Sequence, residues 1–159
     1  MVIHFKILSN EEKDFLLEMT LDSNQSFFDL HFTIQSKLGY DKSQMASFYI
    51  TNDKWEKEQK ISLLDMRPHD KSDPMVMHKV KLSKLIHKKK QKLIYVYDIF
   101  SERFLFIEIL NITPPEKNIS YPHYKRFLGK IPRQILIEDN FIDPDIPDNL
   151  NDFEDDLKY

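Results

Sequence analysis

Cysteine is missing from this chain of 159 residues, and glycine occurs only twice, as Gly39 and Gly129. Without cysteine, the chain has no disulfide framework, no thiolate nucleophile and no zinc site with cysteine ligands. Phosphate-binding loops need glycine because the backbone must approach the ligand closely and adopt positive φ angles. The sequence therefore argues against P-loop NTPases, kinases and dinucleotide-binding enzymes.

Long apolar runs are also missing, and none approaches the roughly 20 residues that a membrane-spanning helix needs. The first ten residues, MVIHFKILSN, lack the basic start, apolar segment and small-residue cleavage site of a signal peptide. A charged fraction of 31% and a hydrophobic fraction of 41% are typical of a globular domain. We therefore expect a cytoplasmic protein without a membrane partner.

Apolar and polar side chains alternate in several stretches of the chain, which is the pattern of half-buried strands. Residues 2–8 and 14–21 predict a β-hairpin, and residues 45–51 predict a third strand. The most apolar stretch, LIYVYDIFSERFLFIEIL at residues 93–110, predicts a second hairpin around a polar connector. Because apolar residues follow one another in it, we expect this hairpin to be buried on both faces at the centre of the core.

The helix predicted between the first hairpin and the third strand has clear signals at both ends. Ser26 and Asp29 have the spacing of a capping box, and Gly39 stands where a C-cap glycine belongs. The order strand, strand, helix, strand is that of a ubiquitin-like start, in which one helix packs across a mixed sheet. We therefore predict an α+β, β-grasp-like fold with one main helix.

The chain is predicted to divide into three parts. Residues 1–112 form the α+β domain, and residues 113–137, which contain several prolines, form an irregular extension. Residues 138–159 hold nine acids and one lysine, which predicts a flexible acidic tail. This tail carries a net charge of −8 and the rest of the chain carries +5. One hypothesis is that the tail shields a basic surface of the same molecule.

The densest positive charge lies in residues 79–92, the basic segment, which contains seven lysines and no acid. Lysines at this density can neutralise nucleic-acid phosphates. A solvated helix face is the competing interpretation, because the segment has no arginine to read a base and no aromatic ring to stack on one. The candidate nucleic-acid contacts are Lys79, Lys81, Lys84, Lys88, Lys89, Lys90 and Lys92.

Metal-binding and catalytic patterns are weak in this sequence. None of the six histidines has the HxxxH, HxH or HExxH spacing that places two ligands on one side. His69, Asp70, Asp73 and His78 form the one local cluster suited to a metal titration. Glu108 interrupts an apolar strand, so it is either an inward-facing candidate for acid–base chemistry or a solvent-facing side chain. We predict no catalytic residue, no metal and no cofactor.

The order of three segments resembles that of the plasmid pRiA4b open-reading-frame-three-like family, in particular its divergent branch from Bacteroidetes. The segments are FFDLHFTIQSKLGYDKSQMASFYI (27–50), NDKWEKEQKISLLDM (52–66) and KLIYVYDIFSERFLFIEI (92–109). The resemblance covers about residues 1–112. It implies a compact α+β domain that is encoded near mobile or plasmid DNA, with no established activity.

The chain departs from the family in the second predicted hairpin. Ile99, Phe100 and Ser101 replace the family's Phe-Gly-Asp turn, and Arg103 and Leu105 stand near its Trp and His positions. An activity that depends on that turn or on that histidine is therefore not expected in this protein.

The first functional hypothesis is a non-enzymatic module that binds another protein in a mobile-element or regulatory context. The alternative is a nucleic-acid-binding protein that uses the basic segment, and a hydrolase-type enzyme is a remote third reading. Trp55 is the sole tryptophan and is flanked by charged residues, and we interpret it as a cap at one end of the core. The oligomeric state stays open.

Overall fold

The computed structural model describes residues 1–65 and 75–136 and shows seven strands in one sheet. The strands are β1 (Val2–Ser9), β2 (Leu16–Asp22), β3 (Ser47–Thr51), β4 (Lys57–Ser62), β5 (Lys92–Asp98), β6 (Arg103–Thr113) and β7 (His123–Leu128). The helices are α1 (Phe27–Leu38) and α2 (Leu82–Leu85), and a 3₁₀ turn (Met77–Lys79) precedes α2. The strand order is β4-β3-β5-β6-β1-β2-β7, and each neighbouring pair is antiparallel.

The predicted α+β, β-grasp-like fold is wrong, because the protein is mainly β and its sheet is antiparallel rather than mixed. The hairpin, helix and third strand occur in the predicted order. The strands pair differently from those of the predicted β-grasp-like sheet. Here β1 lies between β2 and β6, and β3 lies between β4 and β5. An alternating pattern determines which face of a strand is buried, but it does not determine the partner or the direction of that partner.

The predicted capping of α1 is confirmed. Ser26 Oγ accepts a hydrogen bond from the Asp29 backbone N–H at 3.1 Å, and the Asp29 carboxylate accepts one from the Ser26 N–H at 2.9 Å. Gly39 ends the helix with φ +69°. The helix packs on one face of the sheet, where the Phe27 and Phe48 rings lie 5.4 Å apart. We call this the inner face and the opposite one the outer face.

The second predicted hairpin forms β5 and β6, in the middle of the sheet. In β5, the residues from Leu93 to Tyr97 are all buried, so both of its faces are covered. In β6, Leu105, Ile107 and Ile109 are buried on the inner face, whereas Phe104 and Phe106 on the outer face are only half-buried. The expected burial on both faces therefore holds for β5 and only in part for β6.

Residues after 112 continue the same body. The strand β7 pairs with β2 at the edge of the sheet, within the stretch that was expected to be irregular. The Tyr40 hydroxyl donates to the Pro132 carbonyl at 2.6 Å, and the Gln134 side chain exchanges two hydrogen bonds with the Asp41 backbone at 2.6 and 3.0 Å. The predicted acidic tail lies outside the described residues.

Within the described ranges, no helix is long and apolar enough to cross a membrane.

Candidate functional site

The lysines of the basic segment are spread along a path from the 3₁₀ turn to the first residue of β5. Six of the seven are exposed, and Lys92 is half-buried. Among the described residues, none of them lies within ion-pair distance of a carboxylate. Buried Val80, Leu82 and Ile86 alternate with the lysines, so the segment anchors itself with apolar side chains and keeps its charges in water.

Backbone hydrogen bonds connect the two ends of the basic segment to different parts of the fold. The Val80 carbonyl accepts from the Phe27 N–H at 3.0 Å, next to the start of α1. The Lys90 N–H donates to the Ile109 carbonyl at 2.8 Å, beside β6. Lys92 lies on the outer face of the sheet, opposite Glu108. The structure therefore does not gather the seven lysines on one face of a helix.

Charged side chains of alternating sign form a row across the outer face, from β5 to β7. By strand register, the row consists of Lys92, Glu108, Lys6, Glu18 and Arg126. Lys6 Nζ lies 3.4 Å from the Glu108 carboxylate, and the Arg126 guanidinium lies 3.8 Å from that of Glu18. Glu108 thus faces outward, and the charge row explains why it interrupts an apolar strand. Ion pairs of this kind contribute about 0–1 kcal/mol each.

The neighbouring row of the outer face is apolar. By register, it consists of Tyr49, Ile94, Phe106, Leu8 and Leu16. Ile94 is buried, and the other four are half-buried. Trp55, in the turn between β3 and β4, covers part of this row because its indole packs edge-to-face on the Phe106 ring at 4.7 Å. The tryptophan therefore belongs to the outer face.

A cleft of about 490 Å³ separates the turn between β3 and β4 from the end of the basic segment. Its lining includes Asp53 and Glu58 on one side and His87, Lys88 and Lys92 on the other. Lys88 and Lys92 of the basic segment therefore face the turn that carries Trp55 across this cleft.

Five exposed apolar side chains from three chain segments form a second surface, at the turn between β5 and β6. Phe100 is 99% exposed, which is the highest value among the large apolar residues described. A cleft of about 310 Å³ lies among these side chains. We call this surface the hairpin-tip patch, and its members are Met45, Ile99, Phe100, Ile135 and Leu136.

The pattern of the second hairpin predicts a polar connector at residues 98–102 and therefore does not indicate this patch. The available signal was the presence of Ile99 and Phe100 in a tight turn, where polar residues are usual. The contributions of Ile135 and Leu136 depend on tertiary structure.

Arg103 connects three chain segments beside the hairpin-tip patch. Its guanidinium donates two hydrogen bonds to the Glu11 carboxylate at 2.9 and 2.8 Å and one to Asp98 at 3.2 Å. It also donates to the backbone carbonyls of Arg133 and Gln134. The hydrogen bonds to Glu11 are the main cause that raises the pKa of Arg103 above its ordinary value. This side chain therefore connects the 131–136 segment to the turn between β5 and β6 and to Glu11.

Three polar side chains meet inside the core, between α1 and β5. The Tyr95 oxygen accepts a hydrogen bond from Gln35 Nε2 at 2.8 Å and lies 2.7 Å from His31 Nδ1. His31 is 2% exposed, and the other two are 0% exposed. Burial lowers the pKa of His31 to about 4. Because a substrate cannot reach these groups, we interpret the cluster as structural.

Of the other described histidines, His4 and His123 line the same small cavity, whereas His78 and His87 do not line it. His4 Nε2 lies 2.8 Å from the Thr113 hydroxyl, and His78, His87 and His123 are exposed. Within residues 1–65 and 75–136, no three Asp, Glu or His residues lie close enough to hold a metal ion. In the predicted His69–His78 cluster, only His78 is among the described residues.

Comparisons with known proteins agree with the resemblance noted in the sequence. The fold is similar to that of a crystal structure described as a protein of unknown function, MM3350, from Methanosarcina mazei Go1. The TM-score is 0.62 at 23% identity, over 79% of this chain and 68% of the other, which shows a shared fold. No curated protein matches the chain. The family described as plasmid pRiA4b ORF-3-like protein matches residues 3–134. With most of its length matched, the chain belongs to the plasmid pRiA4b ORF-3-like protein family.

Proposed function

We propose that this protein is a non-enzymatic module that binds another protein through the hairpin-tip patch. The observation that carries the proposal is Phe100, an almost fully exposed aromatic side chain beside four other exposed apolar side chains and a cleft. Clustered apolar side chains on a surface are typical of interaction sites, and aromatic residues often anchor them. A partner would place an apolar side chain of its own in the cleft.

Hydrogen bonds hold the backbone on two sides of the patch. Arg103 donates hydrogen bonds to the carbonyls of Arg133 and Gln134, which directly precede Ile135 and Leu136 of the patch. In the turn itself, the Ser101 N–H donates to the Asp98 carboxylate at 3.3 Å. A surface that is ordered in the free protein loses less conformational entropy on binding, which supports a docking role.

The family's description supports the proposed context. It names a plasmid open reading frame, in agreement with a role linked to plasmid or mobile DNA in the cytoplasm. Nucleic-acid binding through the basic segment stays the alternative, and it is favoured by the exposure of six of its lysines.

Site-specific photocrosslinking tests the proposal. A photoreactive phenylalanine analogue at Phe100 is expected to form a crosslink to one protein in cells of the native host, and mass spectrometry would identify that protein. The purified partner is then titrated against the wild type, Phe100→Ala and Phe32→Ala. Phe32 is the matched control because it is an exposed phenylalanine on α1, 48% accessible.

Phe100→Ala is expected to weaken binding at least about 30-fold, since an aromatic anchor contributes about 2 kcal/mol or more. The substitution removes an exposed side chain, so the fold should be unaffected. Equal affinity of the wild type and Phe100→Ala would contradict the proposal. A crosslink only to residues 137–159 of the same chain would show that the protein covers the patch itself, which would also refute it.

A further inference from the structure

Two aromatic rings on the outer face each have a lysine ammonium group near them. The Nζ atoms of Lys57 and Lys60 lie 4.6 and 6.0 Å from the centre of the Tyr49 ring. Lys92 Nζ lies 5.5 Å from the centre of the Trp55 ring. These five residues come from β3, β4, the turn between them and β5, and we call them the aromatic corner.

The backbone of Trp55 is strained. Its φ of 66° lies in the left-handed region, which bulky side chains rarely adopt. Asn52 stabilises this turn, because its Oδ1 accepts hydrogen bonds from the backbone N–H groups of Lys54 and Glu56 at 2.9 and 3.0 Å. The result is an indole held across the outer face, against Phe106. Backbone strain of this kind concentrates at functional sites.

The charge around the aromatic corner is positive. Residues 49–60, with Lys88 and Lys92 across the cleft, contain five lysines and three carboxylates, in a chain whose net charge is −3. One of those carboxylates, Glu56, accepts a hydrogen bond from Asn52 Nδ2 at 2.6 Å. Glu108 lies opposite Lys92, but its ion pair is with Lys6. The corner is therefore complementary to a polyanion.

We propose that the aromatic corner binds single-stranded nucleic acid. The lysines would leave the ring faces that they now cover and contact phosphates, and bases would take their place against Tyr49 and Trp55. Every base has a π-face, so stacking tolerates any sequence, and lysines neutralise phosphates without reading bases. In a duplex, the faces of each base are already covered by neighbouring bases. The two rings can therefore stack only on the bases of a single strand.

This site differs from the basic segment proposed on sequence grounds, because Lys92 is the one contact that the two share. It also lies at the opposite end of β5 from the hairpin-tip patch, since Ile50 pairs with Leu93 at one end and Ser47 pairs with Val96 at the other. The inference therefore goes beyond the proposed protein-binding function and does not depend on it.

Intrinsic fluorescence tests the inference directly, because Trp55 is the sole tryptophan of the chain. The full chain is titrated with an oligothymidylate of about 20 nucleotides at low salt. We expect saturable quenching, an affinity that falls as salt rises, and binding at least about tenfold weaker to a duplex of equal length. Absence of quenching, together with an unchanged anisotropy of a labelled oligonucleotide, would overturn the proposal.

Paired lysine variants locate the site. Lys57→Ala combined with Lys60→Ala is expected to weaken binding about tenfold or more, because both phosphate contacts at Tyr49 are lost. Lys79→Ala combined with Lys81→Ala is the matched control, since these lysines lie at the other end of the basic segment. All four are exposed, so the variants should fold, and circular dichroism would confirm this. An equal or larger loss in the control pair would assign binding to the basic segment and overturn the inference.

Discussion

His31 is the most deeply buried of the described histidines, and its environment keeps it neutral. Gln35 Nε2 donates to the Tyr95 oxygen, so the Tyr95 hydroxyl hydrogen is available to donate to His31 Nδ1. Burial, with a smaller effect of Lys42, lowers the pKa of His31 to about 4. The unfolded chain, with an ordinary pKa near 6.5, takes up the proton first. The contribution of neutral His31 to stability is therefore fully present above pH 6.5 and is lost as the pH falls toward 4.

Acid is expected to destabilise the protein through this one side chain by on the order of 2–3 kcal/mol between about pH 7.5 and pH 4.5. In His31→Asn, an amide takes the place of the titrating nitrogen, so this part of the pH dependence should disappear. Urea unfolding at the two pH values measures it. His78→Asn removes an exposed histidine and should keep the dependence of the wild type. If His31→Asn loses as much stability in acid as His78→Asn, the assignment is wrong.

At the scale of single elements, β7 depends on a close backbone approach just after its last residue. Gly129 has φ +81°, and a Cβ atom there would lie 2.1 Å from the Asp14 carbonyl oxygen, which is backbone and cannot move aside. Gly39, after α1, has φ +69° and nothing within 4 Å of the same position. A side chain at Gly39 would therefore be strained only by its backbone conformation, whereas one at Gly129 would also clash with the Asp14 backbone.

Gly39→Ala is expected to destabilise the protein by about 1–2 kcal/mol, the energy of placing an L-residue in the left-handed region. Gly129→Ala should cost about 1–3 kcal/mol more, because the clash with Asp14 forces β7 away from β2. Urea denaturation of both variants measures the difference. Hydrogen exchange should show lost protection in β7 for Gly129→Ala alone. Equal stabilities of the two variants would contradict the packing described for this edge.

At the scale of the whole molecule, residues after 112 pack against the earlier part of the chain. The seventh strand and the 131–136 segment contact β2, Tyr40 and Arg103. The family match, which ends at residue 134, has almost the same limit. The C-terminal part of this body is therefore held by contacts with residues about 90 positions earlier in the chain.

Two truncated chains test this limit. A chain of residues 1–136 keeps the hydrogen bonds of Pro132 and Gln134, and a chain of residues 1–130 loses them and leaves the Tyr40 hydroxyl without its acceptor. We expect the shorter chain to be less stable by about 3 kcal/mol or more, at about 1 kcal/mol for each lost hydrogen bond. Urea unfolding of the two chains gives the difference. Indistinguishable midpoints would show that residues 131–136 do not belong to the folded body.

The sequence was sufficient to predict those features that depend on residues close together in the chain. The capping box at Ser26 and the C-cap at Gly39 follow from residues within one helical turn, and both are confirmed. The first hairpin and the third strand follow from alternation over five to eight residues. Family membership follows in the same way, since it rests on the order of such short segments.

Tertiary structure alone decided how these elements combine. The partners of β1 and β3 are far away in the chain, so no local pattern separates an antiparallel seven-stranded sheet from a β-grasp. The same holds for both candidate surfaces, because Phe100 meets Ile135, and Trp55 meets Lys92, only after the strands have paired. The sequence by itself determined the first hairpin, α1 with both of its ends, β3, the second hairpin and the family, but not β7. Contacts between distant residues determined the fold and the surfaces. The burial pattern of a strand shows which of its faces is buried, but it does not show which strand pairs with it.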